Sequence, residues 1–334
     1  MEFRTTVTID ENRGLLAHGD KVLLLGSCFS DNIGGRMRQA MMRVMINPMG
    51  TLYNPMSVAA SLDRIIDNAP VEGRDLVEHG GVWNHFDFHS RHSLPDKAAT
   101  IERMNRRVAE AHAWLADCRL LVVTLGSAMA YRHRESGRVV ANCHKLPPQT
   151  FHRQMVTVTE AEAELKRMVE RVVAFNPAIK ILFTVSPIRH IADTLAVNSL
   201  SKATLLVAEH AVVKSSNRHL QKEGEHSCLY FPSYEIMMDD LRDYRFYAAD
   251  MVHPSDVAIE YLWQTFQSAY MDDRAVQAVA RCERVARRLG HRPMSNSREA
   301  VERFRADTLT VVRNLVAEYP YVSEVPQIRE MLDV

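Results

Sequence analysis

A serine on the turn between a buried strand and a helix is chemically useful, and this sequence offers one. Lys21 to Leu25 is a short, almost wholly apolar run closed by Gly26, and Ser27-Cys28-Phe29-Ser30 follows directly. At such a turn the helix end supplies unpaired backbone N–H groups and partial positive charge, which suit the oxyanion of an acyl-transfer intermediate. The plainer reading is that Ser27 caps the helix, a job that serine does often. A second constellation stands far along the chain. Asp250-Met251-Val252-His253-Pro254 comes just before an apolar helical pattern at 256–269. A carboxylate three residues from an imidazole can reach it within one turn, fix its tautomer and stabilise its charged form. Taken alone, that pair is a capping Asp beside an incidental His. A strand-end serine and such a pair in one chain are harder to ascribe to chance.

These groups need elements to hold them. The chain has 334 residues, 46% apolar and 25% charged, which is ordinary globular composition with room for a large core. Besides Lys21–Leu25, buried-strand runs are read at 119–125 and 179–185, with a short strand at 44–46 and a weaker candidate at 228–231. Helical spacing is read at 30–43, with Ser30 or Asp31 as N-cap, and at 100–116 and 159–175. Such alternation implies an α/β fold with parallel strands, and such sheets bind ligands at the carboxyl ends of their strands. Residues 71–99 have no clear periodicity and read as an insertion over one edge of that face. The division expected is a catalytic unit over 1–270 and an Arg-rich helical extension over 271–334, broken at Gly290, Pro293 and Pro320.

Other polar groups follow strand ends. His144, Arg189 and His190 are candidates to line a substrate pocket, each equally readable as a solvated loop residue. In Trp83-Asn84-His85-Phe86-Asp87-Phe88-His89 the alternation of His85, Asp87 and His89 would suit metal ligands on one side of an extended segment. Without a further fixed partner the preferred reading is an aromatic and polar lid in which Trp83 and His85 meet substrate, with no metal and no cofactor. Arg281, Arg284, Arg287, Arg288 and Arg292 read as a solvated helix face, the less favoured alternative being a surface for an acidic protein such as an acyl carrier protein. Acidic and basic residues balance at 41 each, so no global field steers nucleic acid or an anionic membrane to the chain. The N-terminus lacks a signal-peptide pattern, no apolar stretch is long enough to span a bilayer, and five cysteines form no C-x-x-C pair. The expected compartment is the cytoplasm.

The motifs Gly26-Ser27-Cys28-Phe29-Ser30, Asn47-Pro48-Met49-Gly50-Thr51-Leu52-Tyr53-Asn54-Pro55, Thr124-Leu125-Gly126-Ser127-Ala128 and Asp250-x-x-His253-Pro254 resemble those of the GSCFA family. That family is similar to the SGNH (GDSL-like) hydrolases, which act on esters of sugars, lipids and small acyl groups. The resemblance runs from about residue 20 to 270. It implies a three-layer α/β/α sandwich with a flavodoxin-like parallel sheet, Ser27 as nucleophile, His253 as base and Asp250 as its orienting acid. Two departures from the wider SGNH pattern stand out: Cys28 replaces the Asp that follows the nucleophile, and Ala128-Met129 replaces an Asn-Asp pair whose Asn donates to the oxyanion. The backbone N–H groups of Ser27 and Gly50 are then the expected oxyanion donors, with Ser127 or Asn142 as a third. The implied activity is a carboxylester hydrolase removing a small acyl group such as acetyl from a carbohydrate or related metabolite. Its rivals are an acyltransferase with the same triad and a non-catalytic binding module that kept the fold.

Overall fold

The computed structural model describes residues 4–217, 228–291 and 297–333. Five parallel strands, β1 (Lys21–Gly26), β2 (Arg43–Ile46), β3 (Leu120–Leu125), β4 (Lys180–Val185) and β5 (Cys228–Tyr230), form one sheet in the order β2-β1-β3-β4-β5. The runs read as strands are these five; β1, β3 and β4, covered on both faces, need apolar residues at consecutive positions, whereas the edge strand β2 is only half-buried. Leu23 and Leu25 of β1, with Leu121, Val123 and Leu125 of β3, enter one core layer. It is shared by helices Pro55–Ile66, Lys97–Ala116, Val158–Phe175 and Thr194–Ser216. Val22, Leu24, Leu120 and Val122 enter the opposite layer with helices Cys28–Gln39 and Asp256–Tyr270. The result is the three-layer α/β/α sandwich with a helical C-terminal region.

This order places a topological switch between β1 and β3, because the chain leaves β1 toward β2 on one side and returns to β3 on the other. The crevice outside the carboxyl ends of those two strands is the natural ligand position, and Ser27 and Gly126 stand at its two lips, each directly after its strand.

Several local expectations are corrected. The first helix begins at Cys28 and is capped by Ser27, not by Ser30 or Asp31, since Ser27 Oγ accepts from the Phe29 N–H at 3.3 Å. Residues 71–99 are not irregular throughout: Leu76–His79 and Val82–His85 pair as an antiparallel hairpin. A three-stranded antiparallel sheet, Val139–Val140, Met129–His133 and Phe151–Met155, was not expected. Nor was Pro55–Ile66, although Asn54 caps it through a 2.9 Å bond from the Ser57 N–H and proline suits its first turn.

The C-terminal helices Asp273–Gly290, Arg298–Glu318 and Pro326–Leu332 are packed into the body. Ala275 and Val279 join the second core layer, and Met41 joins Cys282, Val285, Val312 and Leu315 in a smaller cluster. Of the arginines there, Arg281 pairs with Glu318, Arg287 with Glu283, and Arg288 donates to Thr308 and stacks over Phe304; Arg292 lies outside the described residues. Among the described residues no helix is long and apolar enough to cross a membrane.

Candidate active site

Ser27 is fully buried at the carboxyl end of β1. Gly26 before it has φ +134°, and a Cβ there would stand 2.0 Å from the backbone oxygen of Thr124, so only glycine lets β1 pass β3 so closely as the chain turns into the helix. The turn is held by Asn47, whose side chain accepts from the Gly26 N–H at 2.9 Å and donates to Asp31 at 3.1 Å. Ser30 Oγ donates to Thr124 Oγ1 at 2.9 Å. Burial, with Asp31 next in effect, pushes the neighbouring Cys28 thiol up, which disfavours its thiolate and leaves Ser27 as the nucleophile candidate of this turn.

The Asp250–His253 pair is made as its spacing suggests. Asp250 Oδ2 lies 2.6 Å from His253 Nδ1, while Oδ1 accepts from the N–H groups of Val252 and His253, both at 2.9 Å. Those two amides, His253's first, and then the imidazole hold the carboxyl at about 2, so it is ionised at any pH where the protein works. The Nε2 of His253 is free of hydrogen bonds among the described residues, as a base awaiting a proton would be. No hydrogen bond joins it to Ser27, whose Oγ accepts only from Phe29 within the described residues. The serine and the pair therefore stand as two separate half-sites.

His190 stands between them. Its Nε2 and the Cβ of Ser27 each lie 3.2 Å from the point where a Cβ on Gly126 would sit, so the two atoms are at most twice that distance apart. The imidazole also feels the charge of His253. It is packed edge-on against Tyr53, with ring centroids 5.4 Å apart, and its Nε2 is buried with no partner. Burial first, then the Lys202 charge, lowers His190 to about 4, so it is neutral near pH 7. Tyr53 Cδ1 lies 3.0 Å from that same point beside Gly126, so both rings are close to the Ser27 turn.

The expected oxyanion donors are engaged within the protein. The Ser27 N–H donates to Thr124 O at 3.0 Å, continuing the β1–β3 ladder, and the Gly50 N–H closes its own turn onto Asn47 O at 2.9 Å. Gly50 is glycine because its φ is +107° and a Cβ would meet His89 Cβ at 2.1 Å, a close approach of protein to protein rather than to substrate. Ser127 Oγ is engaged with Ser201 and the Met129 N–H, and the Asn142 side chain accepts from the His144 N–H. Each of these four groups therefore already has a partner within the protein.

The GSCFA family pattern matches residues 21–266 of the chain, which take in the turn, the switch point and the Asp-His pair. The chain belongs to the GSCFA family. No relative among curated proteins matches it.

The other pocket candidates divide. His190 lies beside the serine turn, preceded in the chain by Arg189, while His85 and Trp83 of this GSCFA protein are engaged with other side chains. His85 is buried, accepts from the Asp87 N–H at 3.0 Å and is pushed down to about 4, mainly by burial. Asp87 is bound by Arg64 and Arg138, and Lys97 lies over the Trp83 ring. His144 Nε2 donates to His85 O at 2.8 Å, leaving Nδ1 buried without a partner.

Lys202 escaped the sequence reading. Fully buried, it donates to Gly126 O at 2.7 Å and Ser186 O at 2.6 Å, tying together the chain leaving β3 and the chain leaving β4. A signal existed: Asn198, Ser201, Lys202 and Glu209 share helical spacing with Leu205, Ala208 and Val212, so polar residues occupy a core-facing stripe. Burial, then Arg189, lowers Lys202 to about 7, and burial raises Glu209. Between pH 7 and 10.5 the unfolded chain keeps a Lys202 proton that the folded protein has lost, so Lys202 makes stability rise with pH in that window. Lys202→Met should remove a rise approaching about 1.4 kcal/mol per pH unit. Urea unfolding of both proteins at pH 7, 8 and 9 checks this; parallel curves would contradict it.

Proposed function

We propose that this protein is a carboxylester hydrolase of the Ser-His-Asp type. The observation that carries the reading is the 2.6 Å bond from Asp250 to His253 Nδ1, which sets the tautomer that leaves Nε2 able to accept a proton. Ser27 Oγ attacks the ester carbonyl and passes its proton to His253 Nε2. Collapse of the tetrahedral intermediate breaks the bond to the alcohol, which leaves with that proton. Water then repeats the sequence on the acyl-enzyme, releasing the acid and Ser27. Because Ser27 is fully buried and is not bonded to His253, turnover requires the serine to become accessible and His253 to come within reach of Oγ. His190, neutral and carrying an unused Nε2 beside Ser27, is placed to donate to the oxyanion in place of the missing Asn.

The resemblance to SGNH hydrolases points to a small acyl group such as acetyl on a carbohydrate, acted on in the cytoplasm, a setting that five unpaired thiols suit. An acyltransferase would use the same residues and resolve the acyl-enzyme with an acceptor hydroxyl. Adding a sugar acceptor to a reaction with an activated acetyl ester separates the two. One observation favours a non-catalytic binding module instead: the Ser27 and Gly50 amides are committed to backbone carbonyls. A fluorophosphonate probe decides between enzyme and module. Labelling mapped to Ser27 supports the esterase, and an unlabelled, folded protein supports the module.

A further inference from the structure

Beside the turn that carries Asp250 lies a groove of about 420 Å³, a volume that suits a small-molecule ligand. Its walls come from two stretches distant in sequence: residues 189–195 after β4 and residues 237–252. Ile191, Leu195, Tyr244 and Met251 all line it and keep 59%, 56%, 72% and 54% of their surfaces exposed. Single exposed apolar residues are normal on any protein, but four around one concavity mark a surface kept for a ligand. Its backbone is unusual in two places. Met251 has φ +60°, uncommon for a residue with a side chain, and Ile236–Asp240 is a π-helical turn, a form that concentrates at functional sites.

The groove adjoins the Asp-His half-site and the residues that flank His190. Asp250 is in its wall and also bonds His253, while Arg189 and Ile191 face the groove on either side of His190, which faces Ser27. Its lining suits an alkyl chain better than a sugar. Met251, 54% exposed, presents a thioether, which donates no hydrogen bonds and adapts to chains of different lengths, with the buried Met237 and the Arg189-bound Met238 beside it. Arg189 is fixed by Asn198, Ser199 and Met238 and pairs with no carboxylate among the described residues.

We propose that this groove binds the acyl chain of the substrate, and that the chain is of medium length rather than acetyl. The proposal rests on the esterase reading and changes its acyl group. Each buried methylene is worth roughly a fourfold gain, so an octanoyl ester should exceed the acetyl ester by at least about tenfold in kcat/KM.

The test is hydrolysis of 4-nitrophenyl acetate, butyrate, octanoate and decanoate by the full chain and by Leu195→Glu, a change at an exposed groove position. The expected result is a rise with chain length and a roughly tenfold fall in the octanoate-to-acetate ratio in Leu195→Glu. Hydrolysis with a flat or falling chain-length profile overturns the groove and leaves the esterase standing. If no ester is cleaved, calorimetric titration with decanoate decides. Binding that Leu195→Glu weakens tenfold upholds the groove while the esterase reading fails, and absence of binding overturns the groove as well.

Discussion

Ser27→Ala should lower ester hydrolysis by on the order of 10⁴-fold or more while leaving the protein folded. The size of the loss follows from removing the nucleophile of a triad, where the residual rate comes from binding and electrostatics alone. The fold should survive because the side chain makes one described hydrogen bond, from the Phe29 N–H at 3.3 Å, and loss of such a cap costs about 1 kcal/mol. Alanine also fits where Ser27 Cβ already sits. Hydrolysis of an activated ester, with thermal unfolding followed by circular dichroism, reads both effects at once. Full activity in a folded Ser27→Ala protein would end the assignment. Labelling at Cys28 would do the same, against the upward push that burial gives that thiol.

His253→Ala should be about as damaging, and Asp250→Asn one to two orders of magnitude milder, because the first removes the base and the second disturbs only its tautomer. The informative variant is the double one. If Ser27 and His253 work as a unit, Ser27→Ala with His253→Ala should be scarcely slower than either single change, since members of a triad are strongly non-additive. Losses that multiply would mean the two half-sites never meet. A silent His253→Ala would make the Asp250–His253 bond a turn-stabilising contact and pass the role of base to His190, beside Ser27. Asp250 also gives a pH signature: its folded value of about 2 lies below the ordinary carboxyl value of 3.8, so its stabilising effect is present above 3.8 and is lost as pH falls through 2.

The five strands of the sheet could be read from the sequence because a strand buried on both faces must be apolar at successive positions, and Lys21–Leu25, 120–125 and 180–185 are. The Asp250–His253 contact was legible for a related reason: both partners lie in one short turn, so local geometry alone brings them together. Family membership rested on the same kind of local pattern. The antiparallel strands at 129–155 and the hairpin at 76–85 were missed because their sequences mix polar and apolar residues instead of forming a run of one type, although the hairpin turns through Gly80-Gly81 alone.

What the sequence by itself determined is thus the strands, most of the helices, the serine turn and the Asp-His turn, each specified by contacts within a few residues. Only the tertiary structure decided which backbone donors remain free and which side chains surround Ser27. Whether the Ser27 and Gly50 amides are available depends on Thr124 O and Asn47 O, and the first of these lies on another strand. Lys202 reaches the carbonyls of Gly126 and Ser186 from a helix 76 and 16 residues away, and His190 reaches Ser27 only because β4 ends beside β3. Hydrogen-bonding capacity is limited, and the sheet's own ladders claim it first. An oxyanion hole inferred from residue types therefore stands or falls on partners that no local pattern reveals.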